Sequence, residues 1–97
     1  MKDAIETVER VTRAAHQAML DFVAADLELA WGFYRIAIRR HGTERQYAAA
    51  SAQKALSVVE SGLQRLHLTE DETEYFRQSL TRLSDALKKL SATRIAD

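Results

Sequence analysis

Apolar residues near the start of the chain recur at steps of three and four, and part-way along, the stripe they form doubles in width. Ala4, Val8, Val11, Ala15 and Ala18 fall on one side of a helix, with Glu6, Arg10, Arg13 and Gln17 opposite. From Met19 onward Phe22, Leu29, Phe33 and Ile36 continue that stripe. Leu20, Val23, Leu27, Trp31, Tyr34 and Ile38 add an adjoining face, leaving Asp21, Glu28, Gly32, Arg35 and Arg39 on the polar side. Nothing before Gly42 reads as a stop, so the pattern predicts one helix over residues 3–41, apolar enough in its second half to touch more than one neighbour.

Two shorter helices follow, over 43–67 and 70–92. His41-Gly42-Thr43 reads as a stop and an immediate start: Gly tolerates the left-handed conformation at a helix end, and Thr43 with Gln46 has the spacing of a capping box. Thr69 and Glu72 repeat that spacing, and Glu70 and Asp71 place negative charge at a helix N-terminus. The second helix carries Ala48, Ala52, Ala55, Leu56, Val59, Leu63 and Leu66 on one face. Its small residues, with Ser51 and Gly62 beside them, suit the bulky Phe22, Phe33, Trp31 and Tyr34 of the first helix. The third helix shows Phe76, Leu80, Leu83, Leu87 and Leu90 as a narrow seam of coiled-coil spacing.

The expected architecture is therefore all-α: one domain spanning 1–97, an up-down-up three-helix bundle with a long first helix. Helices of about 24 residues reach roughly 36 Å, whereas one of about 38 residues reaches roughly 57 Å. Folded back from Gly42, the later helices cover the first only from Met19 to His41. The stripe on Asp3 to Ala18 is left without a partner in its own chain. Completion as a homodimer is the expected remedy, with Val8, Val11, Ala15 and Phe22 in the interface. The competing solution is a bend near Ala24-Ala25-Asp26, with Asp26 capping a new helix.

Composition narrows the picture in three ways. With 97 residues, no Cys, no Pro and three Gly, the chain has one small core, neither disulfides nor thiolate metal ligands, and a strong bias to helix. Lys plus Arg balances Asp plus Glu at 14 each, which removes any whole-molecule attraction to nucleic acid, so no nucleic-acid partner is expected. No apolar run approaches the roughly 20 residues that span a bilayer, and the acidic first turn does not resemble a secretory signal. A soluble, cytoplasmic protein with no membrane contact is expected.

Few side chains offer chemistry. Asp26 falls in the middle of the apolar arc, between Phe22, Leu29, Phe33 and Ala30, and is expected to be a buried polar residue that caps a helix or fixes the register of an interface. Antiparallel folding brings His16 near His67, with Glu70 and Asp71 close in the chain. None of the strong metal-ligand spacings is present, and no metal or cofactor is expected. Arg35, Arg39, Arg40 and Arg45 gather with His41 at one pole, joined by Lys88, Lys89 and Arg94 of the third helix; they could hold an anion or merely complement helix C-termini. Trp31, Phe33, Tyr34 and Tyr47 could line a pocket but read better as core. Nucleophile elbows and phosphate loops are missing, so no enzymatic activity is expected.

The order of helix lengths resembles that of the intertwined, dimeric all-helical chorismate mutases. The resemblance stops at the helix pattern, since Arg10, Arg13, Lys54 and Gln78 do not align with that family's basic catalytic motif. The functional expectation is a non-enzymatic interaction or assembly module: a homodimer, with room for a further protein partner. The alternative is a small regulatory domain that binds an anionic ligand or acidic partner at the basic pole.

Overall fold

A computed structural model of the chain describes the backbone of residues 2–96 and the side chains of residues 3–92. Three helices follow one another, α1 (Lys2–Arg39), α2 (Gly42–Gln64) and α3 (Glu70–Ala96), with no strand among the described residues. The chain runs up, down and up, as the hydrophobic pattern requires. α1 is continuous through Asp26, so the bend with a fresh cap at that position does not occur. An uninterrupted helical pattern without Gly or Pro gives the backbone no reason to break there. The long helix dictates the shape, 67 × 22 × 16 Å.

The turn between α1 and α2 differs from expectation. Only Arg40 and His41 separate the helices, and Gly42 opens α2 at φ 59°, which a side chain would strain. His41 occupies the cap position without a side-chain bond, so the Thr43–Gln46 capping box does not form. Arg45 reaches back instead, its Nε donating to the carbonyls of Arg40 at 2.8 Å and Ala37 at 3.2 Å. A reversal this tight pulls the start of α2 under the end of α1, so the orphan carbonyls of α1 are served by a guanidinium one turn away.

The second capping box forms as the sequence predicts. Thr69 donates its backbone N–H to Glu72 Oε1 at 2.9 Å, and Glu72 returns its N–H to Thr69 Oγ1 at 3.1 Å. α2 stops at Gln64, three residues earlier than the pattern suggests, and the segment after it drops Leu66 and Leu68 against the core.

α1 and α2 form the tight pair, and α3 rests across them at longer range. Close approach comes from small residues on both sides. Ala30 and Ala37 of α1 and Ala48, Ala52 and Ala55 of α2 are all buried. A Cβ added to Gly62 would come within 3.1 Å of Val23 Cγ2. α3 then caps one side of the pair with Phe76, Leu83 and Leu87, joining Leu20, Val23, Leu27, Leu56 and Val59 in a single core. The bulky residues expected against α2 divide: Phe33 packs against the core and lines a cleft beside Ala48, Phe22 borders α2 but is 67% exposed, and Trp31 turns toward α3, where its Nε1 donates to Ser79 Oγ at 3.1 Å.

Candidate interaction face

α1 carries two seams one residue out of step. His16, Leu20, Val23, Leu27, Ala30, Tyr34 and Ala37 point into the protein's own core. Ala15, Met19, Phe22, Asp26, Leu29, Phe33 and Ile36 lie about 100° around the helix and are exposed except for the half-buried Asp26 and Phe33, the latter packed against the edge of the core. Both repeat at alternating steps of four and three, the spacing that holds one helix against another along its length. Only the first is covered along its length in this chain.

The second seam extends up the arm. Val8 and Val11 are 64% and 63% exposed, and Ala15 is exposed with them. The covered part of α1 begins at His16, whose Nε2 lies 3.5 Å from Glu72 Oε1 at the start of α3. The Thr69 backbone N–H, and after it His16, hold the Glu72 carboxyl below its usual range, although partial desolvation works the other way. Beyond that contact the arm, residues 3–15, stands in solvent on every side.

Below the arm, the same stripe forms one wall of a shallow groove whose other wall is α2. Two clefts lie along it, both built from α1, α2 and the residues at their junction, with no residue of α3. One, of about 430 Å³, is lined by Met19, Phe22, Val23, Asp26, Lys54, Ser57, Val58, Ser61, Gly62 and Arg65. The other, of about 560 Å³, lies nearer the turn and is lined by Phe33, Ile36, Arg40, Thr43, Glu44, Tyr47 and Ala48. Tyr47 is 75% exposed at its mouth. The aromatic cluster expected where the first two helices meet is thus divided: Trp31 and Tyr34 pack edge to face at 5.8 Å on the α3 side, while Phe33 and Tyr47 face the groove.

Asp26 is not a buried residue, as expected from its place in the apolar arc; it is half-exposed, and no polar side chain among the described residues is buried. The arc it occupies is the one that no helix of this chain covers. The cationic Lys54 and Arg65 line the same cleft.

The basic pole does not converge. Arg45 is turned onto the α1 carbonyls, and Arg40 lies 3.7 Å from Glu44 on the groove. Arg35 and Arg39 are exposed on the opposite, polar side of α1. Lys88 borders a separate depression with Gln46, Ala49 and Gln53; the side chain of Arg94 lies outside the described residues. His16 pairs with Glu72, His67 is exposed, and no group of three or more His, Cys, Asp or Glu suited to a metal occurs among the described residues. No described helix is long and apolar enough to cross a membrane. Of the α2 half of the groove, Tyr47 was legible as a possible pocket residue, whereas Val58 and Arg65 escaped the sequence reading; Tyr47, Lys54, Val58 and Ser61 do sit at helical spacing, but the polar Lys54 and Ser61 mask the signal. Comparison with family models, curated proteins and solved structures finds no match to this chain.

Proposed function

We propose that this protein is a non-enzymatic assembly module that associates with itself through α1, with Val8, Val11, Ala15 and Phe22 in the contact. One observation carries the reading: a largely apolar stripe of coiled-coil spacing runs from Val8 to Ile36, about 42 Å of helix, and apart from the half-buried Asp26 and Phe33 the chain leaves it exposed. Exposed apolar faces of that length are uncommon on proteins that work alone. Catalysis has less support: the carboxyls held below their ordinary range, Glu72 by the Thr69 N–H and Glu74 by Arg77, belong to a helix cap and a surface ion pair and not to a cleft. The anion-binding alternative has less support than self-association, since Arg40 and Arg45 already have acceptors close at hand. A cytoplasmic setting remains part of the proposal on sequence grounds.

Sedimentation equilibrium of the full chain tests this directly. A mass that rises toward twice the chain mass with concentration is expected. A single monomeric species at high concentration overturns it.

A further inference from the structure

Small and large residues are distributed unevenly along the uncovered stripe of α1. The arm carries Ala4, Val8, Val11 and Ala15; the groove half carries Phe22, Leu29, Phe33 and Ile36. Phe22 sits within two residues of the midpoint of α1, which runs from Lys2 to Arg39. We infer that the occupant of the α1–α2 groove is the arm of a second copy, lying antiparallel, with each arm in the other's groove and the two Phe22 side chains meeting at the two-fold axis. This rests on the self-association proposed above and specifies its geometry.

Lengths are the first support. The arm that α3 cannot reach, residues 3–15, continues with Ala18 and Met19 to about 25 Å of helix, and the groove from Met19 to Ile36 offers about the same length. An arm too long for its own chain therefore fits a groove too open in its twin.

Packing supports the same sense. About a dyad at Phe22, Ala15 faces Leu29, Val11 faces Phe33 and Val8 faces Ile36, so away from the Phe22 pair on the axis each large side chain of the groove half meets a smaller one of the arm. A parallel pair would set small on small along the arm and large on large in the groove. It would also press Asp26 against its own copy, two carboxylates facing each other in an apolar seam. In the antiparallel pair each Asp26 faces Ala18 of the other copy, close to that copy's Arg65, which flanks Leu20 across the α1–α2 pairing set by Val23 and Gly62.

Area agrees. Phe22 and Tyr47, with Val8, Val11, Met19, Leu29, Ile36 and Val58 at 44–64% exposure, leave roughly 600 Å² of apolar surface on this face of each copy. A stable interface of about 800 Å² per partner needs roughly 500 Å² of apolar surface.

The absence of cysteine makes single labels clean. A spin label on Glu6→Cys, an exposed residue on the polar side of the arm, reads the pairing sense in the full chain. Sixteen residues separate it from the dyad, so the antiparallel pair places two labels about 50 Å apart or more, whereas a parallel pair places them within about 30 Å. Mild oxidation gives a second reading: Phe22→Cys joins to itself, and Val8→Cys joins to Ile36→Cys in a mixture while neither does so alone. A short label distance, or self-joining of Val8→Cys, overturns the antiparallel arrangement and leaves self-association standing. A monomeric mass with no dipolar signal overturns both.

Discussion

Replacing Phe22 by alanine separates the demands of the fold from those of assembly. Two-thirds of this side chain is exposed in the protomer, 67%, while the remaining third touches the rim of the Met19–Arg65 cleft. An aromatic side chain presents roughly 200 Å², so about 70 Å² is covered within the protomer and about 130 Å² awaits a partner. At about 25 cal/mol per Å², the substitution costs the protomer at most about 1.7 kcal/mol. A symmetric pair that buries both copies loses up to about 6 kcal/mol, or four decades in Kd. Ordering costs at the interface reduce that figure, and a loss of at least 100-fold is expected. Leu83→Ala, at a fully buried position of α3, shows the opposite balance: about 2–5 kcal/mol from the fold, with little change in association for whatever remains folded. Sedimentation equilibrium gives Kd, and thermal unfolding at a concentration where the chain is monomeric gives the cost to the protomer. A Kd within about threefold of the parent, together with unfolding as severe as that of Leu83→Ala, would refute the placement of Phe22 at an interface.

Other perturbations probe single contacts. Thr69→Ala removes the cap of α3 and should lower stability by about 1 kcal/mol, a melting shift of about 4–8 °C, read by circular dichroism. Because the folded protein holds the Glu72 carboxyl below its ordinary 4.5, that contribution is complete above the unfolded pKa and fades as pH falls through the lower folded value. Melting temperature should therefore drop below about pH 4.5, and Glu72→Gln should blunt the slope; an identical pH profile in that variant would show that the cap is not the titrating contact. Gly62→Leu forces a side chain into the space where even a Cβ would lie 3.1 Å from Val23, so a loss of about 1–3 kcal/mol is expected in urea unfolding, and a neutral result would mean that α1 and α2 can slide apart freely. Asp26→Leu makes the stripe continuous and should change the oligomeric order or its Kd by light scattering; no change in either would remove Asp26 from any role in fixing the assembly.

The helices were legible because their signals are local. Alternating steps of three and four, Thr69 with Glu72 three residues on, and Gly42 at a reversal each depend on only a few neighbouring residues. The uncovered arm was legible too, because helix length follows from residue count. The facing of α1 was harder, since its second half is apolar along two adjacent stripes and periodicity ranks them equally. Burial was decided by a non-local preference: α2 offers a row of alanines, and the buried side of α1 is the one with Val23, Leu27, Ala30 and Ala37, leaving Phe22 outside and Phe33 at the edge of the core. The same preference turned Trp31 to α3, where Ser79 could take its N–H. The Thr43–Gln46 cap failed for a geometric reason, a link too short to swing Thr43 into the cap position, and Arg45 took over the task.

The two stripes of α1 differ by one residue in register, and that offset ties the fold to the proposed assembly. One seam, from Leu20 to Ala37, is satisfied by α2 and α3; the other, one position earlier, is exposed along most of the helix, with Asp26 and Phe33 half-buried. Because both are cut on a single unbroken helix, the arm cannot rotate relative to the groove: Val8 and Val11 stay in line with Leu29 and Phe33 only while the helix from Lys2 to Arg39 remains continuous. One residue inserted between Ala15 and Met19 would turn the arm by about 100° and carry its stripe away from the line of the groove, with the core below Leu20 untouched. On the proposed assembly, the absence of Gly and Pro between the arm and Ala30 is a requirement of association as much as of local stability, since a flexible joint would let each arm fold away from the groove proposed to receive it.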